Sequence, residues 1–347
     1  MAAACCIAVG NLGLARLAAA EPHTFELNAP DARHVYLAGE MTAWDTGKLP
    51  MLRGGDAKWR VTVNLGPGQW LYKFVVDGRW MADPASPERD ADGQGGEHSF
   101  LFVGPGDWNE SPAVPKGHVE TLMFDSKAWG KRLKVNVYLP PGFASGRRYP
   151  VLWLLHGGRM DADQWLKTGK VNRYMDNLIG RGAIHPFVIV MPSSADVPFN
   201  GRNERFITRE LPDWLARTHG VETVRAVSAV AGMSMGGFGA FDLPLRHPDL
   251  YGFGFAVSGY FNDAFIEGLA HVSKLPMQVR LLCGQDDELV EGNRRLVRAL
   301  QERRLDFYYR EDPGAHTWQF WSNHMVEMLT AVDGFFMAGH ADAAAAK

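Results

Sequence analysis

The chain has 347 residues and a net charge of −3, with 46% hydrophobic and 22% charged residues. That balance describes an ordinary globular protein long enough for two domains. With a pI near 6.5 it offers no electrostatic basis for binding nucleic acid or an anionic membrane surface. Its three cysteines, Cys5, Cys6 and Cys283, imply no disulfide framework. Cys283 closes an apolar strand, where a small buried thiol is expected.

Residues 1–20 are alanine-rich and apolar, and Leu17-Ala18-Ala19-Ala20 ahead of Glu21 is similar to a small-residue cleavage site. The segment lacks a basic start and is interrupted by Asn11 and Arg16. It reads as a leader for a secreted or periplasmic protein, with a cytoplasmic chain as the other reading. It is too broken to span a bilayer, and no other stretch qualifies.

Residues 21–104 read as an all-β unit. Short apolar runs (Phe25-Leu27, Val35-Ala38, Trp59-Leu65, Trp70-Val76, Ser99-Val103) are separated by Pro, Gly and Asp clusters at sandwich-like intervals. Trp59, Val61 and Val63 alternate, as do Trp70, Tyr72, Phe74 and Val76, so each strand is expected to bury one face. Gly66-Pro67-Gly68 reads as the turn between two of them. Asp90-Ala91-Asp92-Gly93 lacks the further ligands of a calcium loop and is expected to be a solvated polar loop.

The stretch resembles the early-set, immunoglobulin-like β-sandwich modules that bind glycogen or starch, found beside isoamylase-type enzymes and in the β subunit of AMP-activated kinase. The residues that carry the likeness are Val35 through Trp44, Leu49-Pro50-Met51, Tyr72 through Trp80, and Asp83-Pro84. The resemblance implies that Trp44, Lys73 and Trp80 contact a glucan or other polysaccharide, tethering the chain to a polymer. It departs near the last strand, where Gly96-Glu97-His98-Ser99 stands in place of a frequent asparagine. A module that only packs against its neighbour is the other reading.

Residues 105–117 are rich in Pro and Gly without periodicity and read as a linker. From 118 to 340 apolar strands alternate with helix-length segments, which indicates a mostly parallel sheet covered on both faces. Its organising stretch is Val230 to Ala240, a buried strand (Ala226-Val230) running into Gly232-Met233-Ser234-Met235-Gly236 and then a helix. A serine at the tip of such a turn has a strained backbone, and strand and helix pass close on either side. The residues two before and two after it must therefore be very small. The Met235 N–H falls at a helix start, suited to a developing oxyanion. Pro244 is expected to kink or shorten that helix.

Three further stations follow strand ends, where an open α/β sheet places its crevice. Leu154-Leu155-His156-Gly157-Gly158 suits a second oxyanion donor, with His156 a structural hydrogen-bonding group. After Leu281-Leu282-Cys283-Gly284, the acids Asp286, Asp287 and Glu288 compete to orient an imidazole. His316 lies in a Pro/Gly-shaped loop before a helix beginning near Gln319. Serine, acid and histidine thus fall in the α/β-hydrolase order.

Residues His118 to Phe336 resemble the esterase D family of α/β-hydrolases. That family includes feruloyl and acetylxylan esterases, enterochelin esterases, S-formylglutathione hydrolases and mycolyltransferases. Gly232-Met233-Ser234-Met235-Gly236-Gly237, Arg246-His247-Pro248-Asp249-Leu250-Tyr251, Val257-Ser258-Gly259 and Gly314-Ala315-His316-Thr317-Trp318 carry the likeness, with Glu210-Leu211-Pro212. It selects Asp287 as the acid and Gly158 with Met235 as the oxyanion donors. It implies a cofactor-free, metal-free serine esterase acting on carbohydrate-linked feruloyl or acetyl esters. A siderophore esterase, an acyltransferase and a carbohydrate-binding protein with an inert hydrolase half are the alternatives.

Overall fold

The computed structural model describes residues 20–345, apart from 93–94, 105, 110, 195–196 and 222. The expected leader therefore lies outside the described residues except for Ala20. Among the described residues, nine strands form the N-terminal unit: β1 Glu21–Asn28, β2 Val35–Gly39, β3 Leu49–Pro50, β4 Leu52–Arg53, β5 Lys58–Leu65, β6 Gly68–Val76, β7 Arg79–Met81, β8 Arg89–Ala91 and β9 Glu97–Val103. They make one sheet in the order β1-β5-β4 and another in the order β3-β2-β6-β9-β8, with β7 on β6. Phe25, Leu37, Trp59, Tyr72 and Phe74 close the core between them. Buried polar tips find partners: Trp59 Nε1–H donates to the Ala29 carbonyl at 2.9 Å, and Tyr72 O–H to Asp83 at 2.6 Å.

The expectation of one buried face per strand fails at β6. Leu71, Lys73 and Val75 are as buried as Tyr72 and Phe74 on the opposite face: the second domain covers Leu71, while Lys73 is enclosed within the sandwich by Asp92 and Trp80. Leu71 joins that domain's core. The junction is polar as well as apolar: Gln69 donates to the Thr168 carbonyl at 2.8 Å, and Glu88 pairs with Lys170 and Arg173 at 2.7 and 2.9 Å. Asp90 accepts from Thr168 Oγ1 at 2.7 Å, while Asp92 is paired with Lys73 and accepts the Gly96 N–H. The Asp90–Asp92 stretch is thus a structural junction and not a solvated loop. Residues of the expected linker are packed too, since Trp108 is buried and Asp107 pairs with Arg181.

The second domain contains β10 His118–Ser126, β11 Lys131–Leu139, β12 Val151–Leu155, β13 Val188–Pro192, β14 Ser228–Met233, β15 Phe253–Val257, β16 Gln278–Gly284 and β17 Tyr308–Asp312. The sheet order is β10-β11-β13-β12-β14-β15-β16-β17. The β10–β11 and β11–β13 pairs are antiparallel, and every later pair is parallel. Period-two alternation fills both faces: Val151, Trp153 and Leu155 enter one core, Leu152 and Leu154 the other. Each such side chain contributes roughly 1.5–3 kcal/mol on burial.

Two strands sit further along the chain than their apolar runs indicate. The expected Ala226–Val230 strand is Ser228–Met233, because Arg225–Val227 forms a tight turn and the parallel ladder continues through Gly232 beside Leu155 and Ala256. The last strand follows the run Asp306–Tyr309 but continues through three more residues, all charged, Arg310, Glu311 and Asp312. It is an edge strand, where Arg294 pairs with Glu311 and Arg310 with Asp312 in reach of water. The helix Met235–Arg246 runs through Pro244 and stops two residues later.

Candidate active site

Ser234 stands between β14 and the helix Met235–Arg246 with φ 56° and ψ −118°, in the strained region expected of an exposed nucleophile turn. Its N–H donates to the Val257 carbonyl at 3.0 Å, and its own carbonyl accepts from Tyr260 and Phe238, each at 3.1 Å. The flanking glycines are demanded by close approach. A Cβ on Gly236 would lie 2.2 Å from the Leu155 carbonyl oxygen, and one on Gly232 2.6 Å from Gly236. Neither neighbour is a flexible side chain. Gly236→Ala is therefore expected to destabilise the protein by about 1–3 kcal/mol and to cut turnover, as read by thermal melting and kcat. An unchanged melting temperature would refute this reading of the turn.

Met235 is the first residue of the helix, so its N–H has no intrahelical acceptor. After β12, Gly157 and Gly158 border the same space, and a Cβ on Gly157 would come within 3.4 Å of Ser234 Cβ. His156 is buried. Its Nε2 accepts the Ser194 N–H at 3.0 Å, which leaves Nδ1–H to donate to the Gly157 carbonyl at 2.7 Å. Both ring nitrogens are spent on holding this loop.

Of the three candidate acids, Asp286 and Glu288 are exposed and Asp287 is 2% exposed. His316 Nδ1 lies 3.0 Å from both Asp287 carboxylate oxygens. Burial works against ionisation of Asp287, but hydrogen bonds from His316, Ser258 and the Leu289 N–H outweigh it and hold its pKa below the ordinary range. Backbone packing brings the two loops together: a Cβ on Gly284 would lie 2.3 Å from the Gly314 carbonyl oxygen. Trp321 stands edge-on to the His316 ring at 4.9 Å, and its Nε1–H donates to Ser258 Oγ at 3.2 Å.

Ser258 is a residue that motif reading alone left without a role. It follows β15 with φ 49° and joins Asp287 to Trp321. Its only trace in the sequence was a serine next to a glycine just past a strand. Cys283 is buried as expected, and burial pushes its thiol pKa up.

Ser234, His316, Gly158 and Asp286 line a cleft of about 1470 Å³. The opposite wall belongs to the sandwich, through Trp44, Trp80, Lys73 and His98. Trp44 packs 4.8 Å from His98 and 6.3 Å from Trp80, which is 46% exposed. Burial, with the Lys73 charge adding to it, lowers the His98 pKa to about 4, so the His98 ring is neutral near pH 7. The Lys73 side chain is 8% exposed and its ammonium is held by Asp92. The three residues expected to bind sugar therefore face the space in front of Ser234. Among the described residues, no group of three or more His, Cys, Asp or Glu side chains is placed to hold a metal ion. No helix among them is long and apolar enough to cross a membrane.

The fold is that of an α/β-hydrolase, preceded by a β-rich domain of the carbohydrate-binding type. Residues 126–332, more than half of the chain, match the family described as "Putative esterase". The chain belongs to that family. Residues 22–107 match the glycogen recognition site of AMP-activated protein kinase.

An endo-1,4-beta-xylanase/feruloyl esterase of Xylanibacter ruminicola is 26% identical over 307 residues, covering 80% of this chain and 40% of that protein. The chain spans about 40% of the length of this and two further curated relatives. The enterobactin esterase of Shigella flexneri superposes with a TM-score of 0.73 at 18% identity, over 91% of this chain and 94% of that one. A ferulic acid esterase of Anaeromyces mucronatus gives 0.58 at 20% identity, over 68% and 99%.

Proposed function

We propose that the protein is a serine esterase in which Ser234 is the nucleophile, His316 the general base and Asp287 the group that orients the imidazole. With Nδ1 directed to Asp287, Nε2 is left to take the Ser234 proton as Oγ bonds to the ester carbonyl carbon. The N–H groups of Met235 and Gly158 stabilise the oxyanion. Collapse expels the alcohol, which receives its proton from His316. Water then attacks the acyl-enzyme, giving its proton to His316, and the acid and free Ser234 are released.

The substrate is an ester borne on a carbohydrate, with a feruloyl or acetyl group as the acyl part. The observation that carries this reading is the single cleft that holds Ser234 and His316 on one wall and the Trp44–Trp80–His98 face on the other. Its volume exceeds the roughly 300–1,000 Å³ common for small-ligand sites, and flat uncharged aromatic faces suit the apolar face of a sugar ring. The xylanase/feruloyl esterase relative supports the same choice. Likeness to an enterobactin esterase across both domains favours a catecholate trilactone as the second reading.

The sequence pointed to a polymer tether, which would act by raising effective concentration. A platform inside the cleft acts on each bound molecule. Trp44→Ala combined with Trp80→Ala is expected to lower kcat/KM for a soluble feruloylated or acetylated oligosaccharide about tenfold, at roughly 1 kcal/mol per lost stacking contact. The rate on methyl ferulate, too short to reach both walls, is expected to change little. A loss confined to insoluble polymer would restore the tether. Assaying methyl ferulate, acetylated xylan and a catecholate trilactone side by side tests the substrate class, and a preference for the trilactone would favour the second reading.

A further inference from the structure

The short turn Glu40–Thr42 follows β2 in the sandwich, and Glu40 sits half-buried where the two domains meet. Its carboxylate bridges them. One oxygen accepts the Leu71 N–H of β6 at 2.9 Å, and the other accepts the Gln319 N–H at 3.3 Å. The Trp318 N–H adds a further bond. Trp318 and Gln319 are the first two residues of the helix Trp318–Asn323, whose third N–H, from Phe320, is taken by Thr317 Oγ1 at 3.2 Å. The opening turn of this helix is thus capped jointly by its own Thr317 and by a carboxylate from the other domain. The helix begins two residues after His316 and carries Trp321 against the His316 ring.

Taking the triad assignment above as given, we propose that Glu40 is a positioning residue that ties the N-terminal domain to the catalytic histidine, so that the ester rate depends on the docked sandwich. Both carboxylate oxygens accept backbone N–H groups, which describes the ionised form. Burial opposes that form and raises the Glu40 pKa to about 7. Titratable and charged groups bordering the same cleft as Glu40 include Lys73 on β6, His98, Arg159, Asp286, Glu288 and His316, and His324 closes the helix. Lys73 is paired with Asp92, and His324 is engaged with Asp312 at 2.8 Å. Ionised Glu40 holds the helix above neutral pH, and its hold on the helix weakens as pH falls through 7.

The test is the pH dependence of kcat on a soluble ester for the full chain, Glu40→Gln and Glu40→Asp. In the wild type, protonation of Glu40 adds to the requirement for an unprotonated general base, so the acid limb of log kcat is expected to be locally steeper than one near pH 7. Glu40→Gln is expected to return the limb to a slope of one, with kcat about tenfold lower and KM changed by less than about twofold. Glu40→Asp keeps the charge without the reach and is expected to lose kcat similarly. A wild-type limb of slope one, or a Glu40→Gln enzyme with wild-type kcat and limb, would overturn the proposal. The slope of the wild-type limb decides the question even if a variant does not fold. The triad reading fails on a different result, ester turnover retained by Ser234→Ala.

Discussion

Ser234→Ala is expected to remove ester turnover, by about 10⁴-fold or more in kcat, and to leave the fold intact. The reacting oxygen is the one atom that the turn between β14 and the helix Met235–Arg246 exists to present. Its backbone strain, the two glycines without room for a methyl group and the Val257 hydrogen bond all fix the Ser234 backbone and not its side chain. Removing Oγ therefore costs little packing. His316→Ala is expected to lose a comparable factor, and the double variant little more, because members of a triad act as a unit. Near-wild-type turnover in either single variant, in a preparation free of other esterases, would refute the assignment.

The second large effect is expected at the acid. Asp287→Asn should lower kcat by about 10³–10⁴-fold, whereas Asp286→Asn should stay within about threefold of wild type. Both carboxylate oxygens of Asp287 meet His316 Nδ1, and the pKa of this group is held below the ordinary range. It is thus ionised near neutral pH. An asparagine amide can donate to the imidazole and favour the wrong tautomer. Asp286 is exposed at the cleft and makes no such bond. A collapse in Asp286→Asn with an active Asp287→Asn would move the acid to Asp286.

The parts legible in the sequence were those with a short-range cause. Gly232-x-Ser234-x-Gly236 has a steric reason that operates within five residues, and apolar runs such as Val151–Leu155 declare a strand buried on both faces. The order serine, acid, histidine could be read because each follows its own strand. The structure brings Asp287 to His316, the pairing the family resemblance chose and the residues alone left open.

What could not be read was long-range. Nothing in Leu71 announces that it joins the core of a domain much later in the chain, where the helix Trp318–Asn323 packs against β6. The roles of Ser258 and Glu40 exist only through partners distant in sequence. For the same reason Trp44 and Trp80 read as a platform, while their place opposite Ser234 did not. The polar spacing of Asp90–Asp92 looked like a loop because Thr168 and Lys73, which use those carboxylates, lie elsewhere in the chain.

The central claim is that an acyl group is carried on Ser234. It is tested most directly by rapid quenching of the enzyme with excess aryl ester, followed by intact mass measurement and peptide mapping. A burst of one alcohol per active site is expected, with the mass of one acyl group mapped to the peptide bearing Ser234 and absent from Ser234→Ala. Turnover with no covalent intermediate, or an acyl group mapped to another residue, would contradict it.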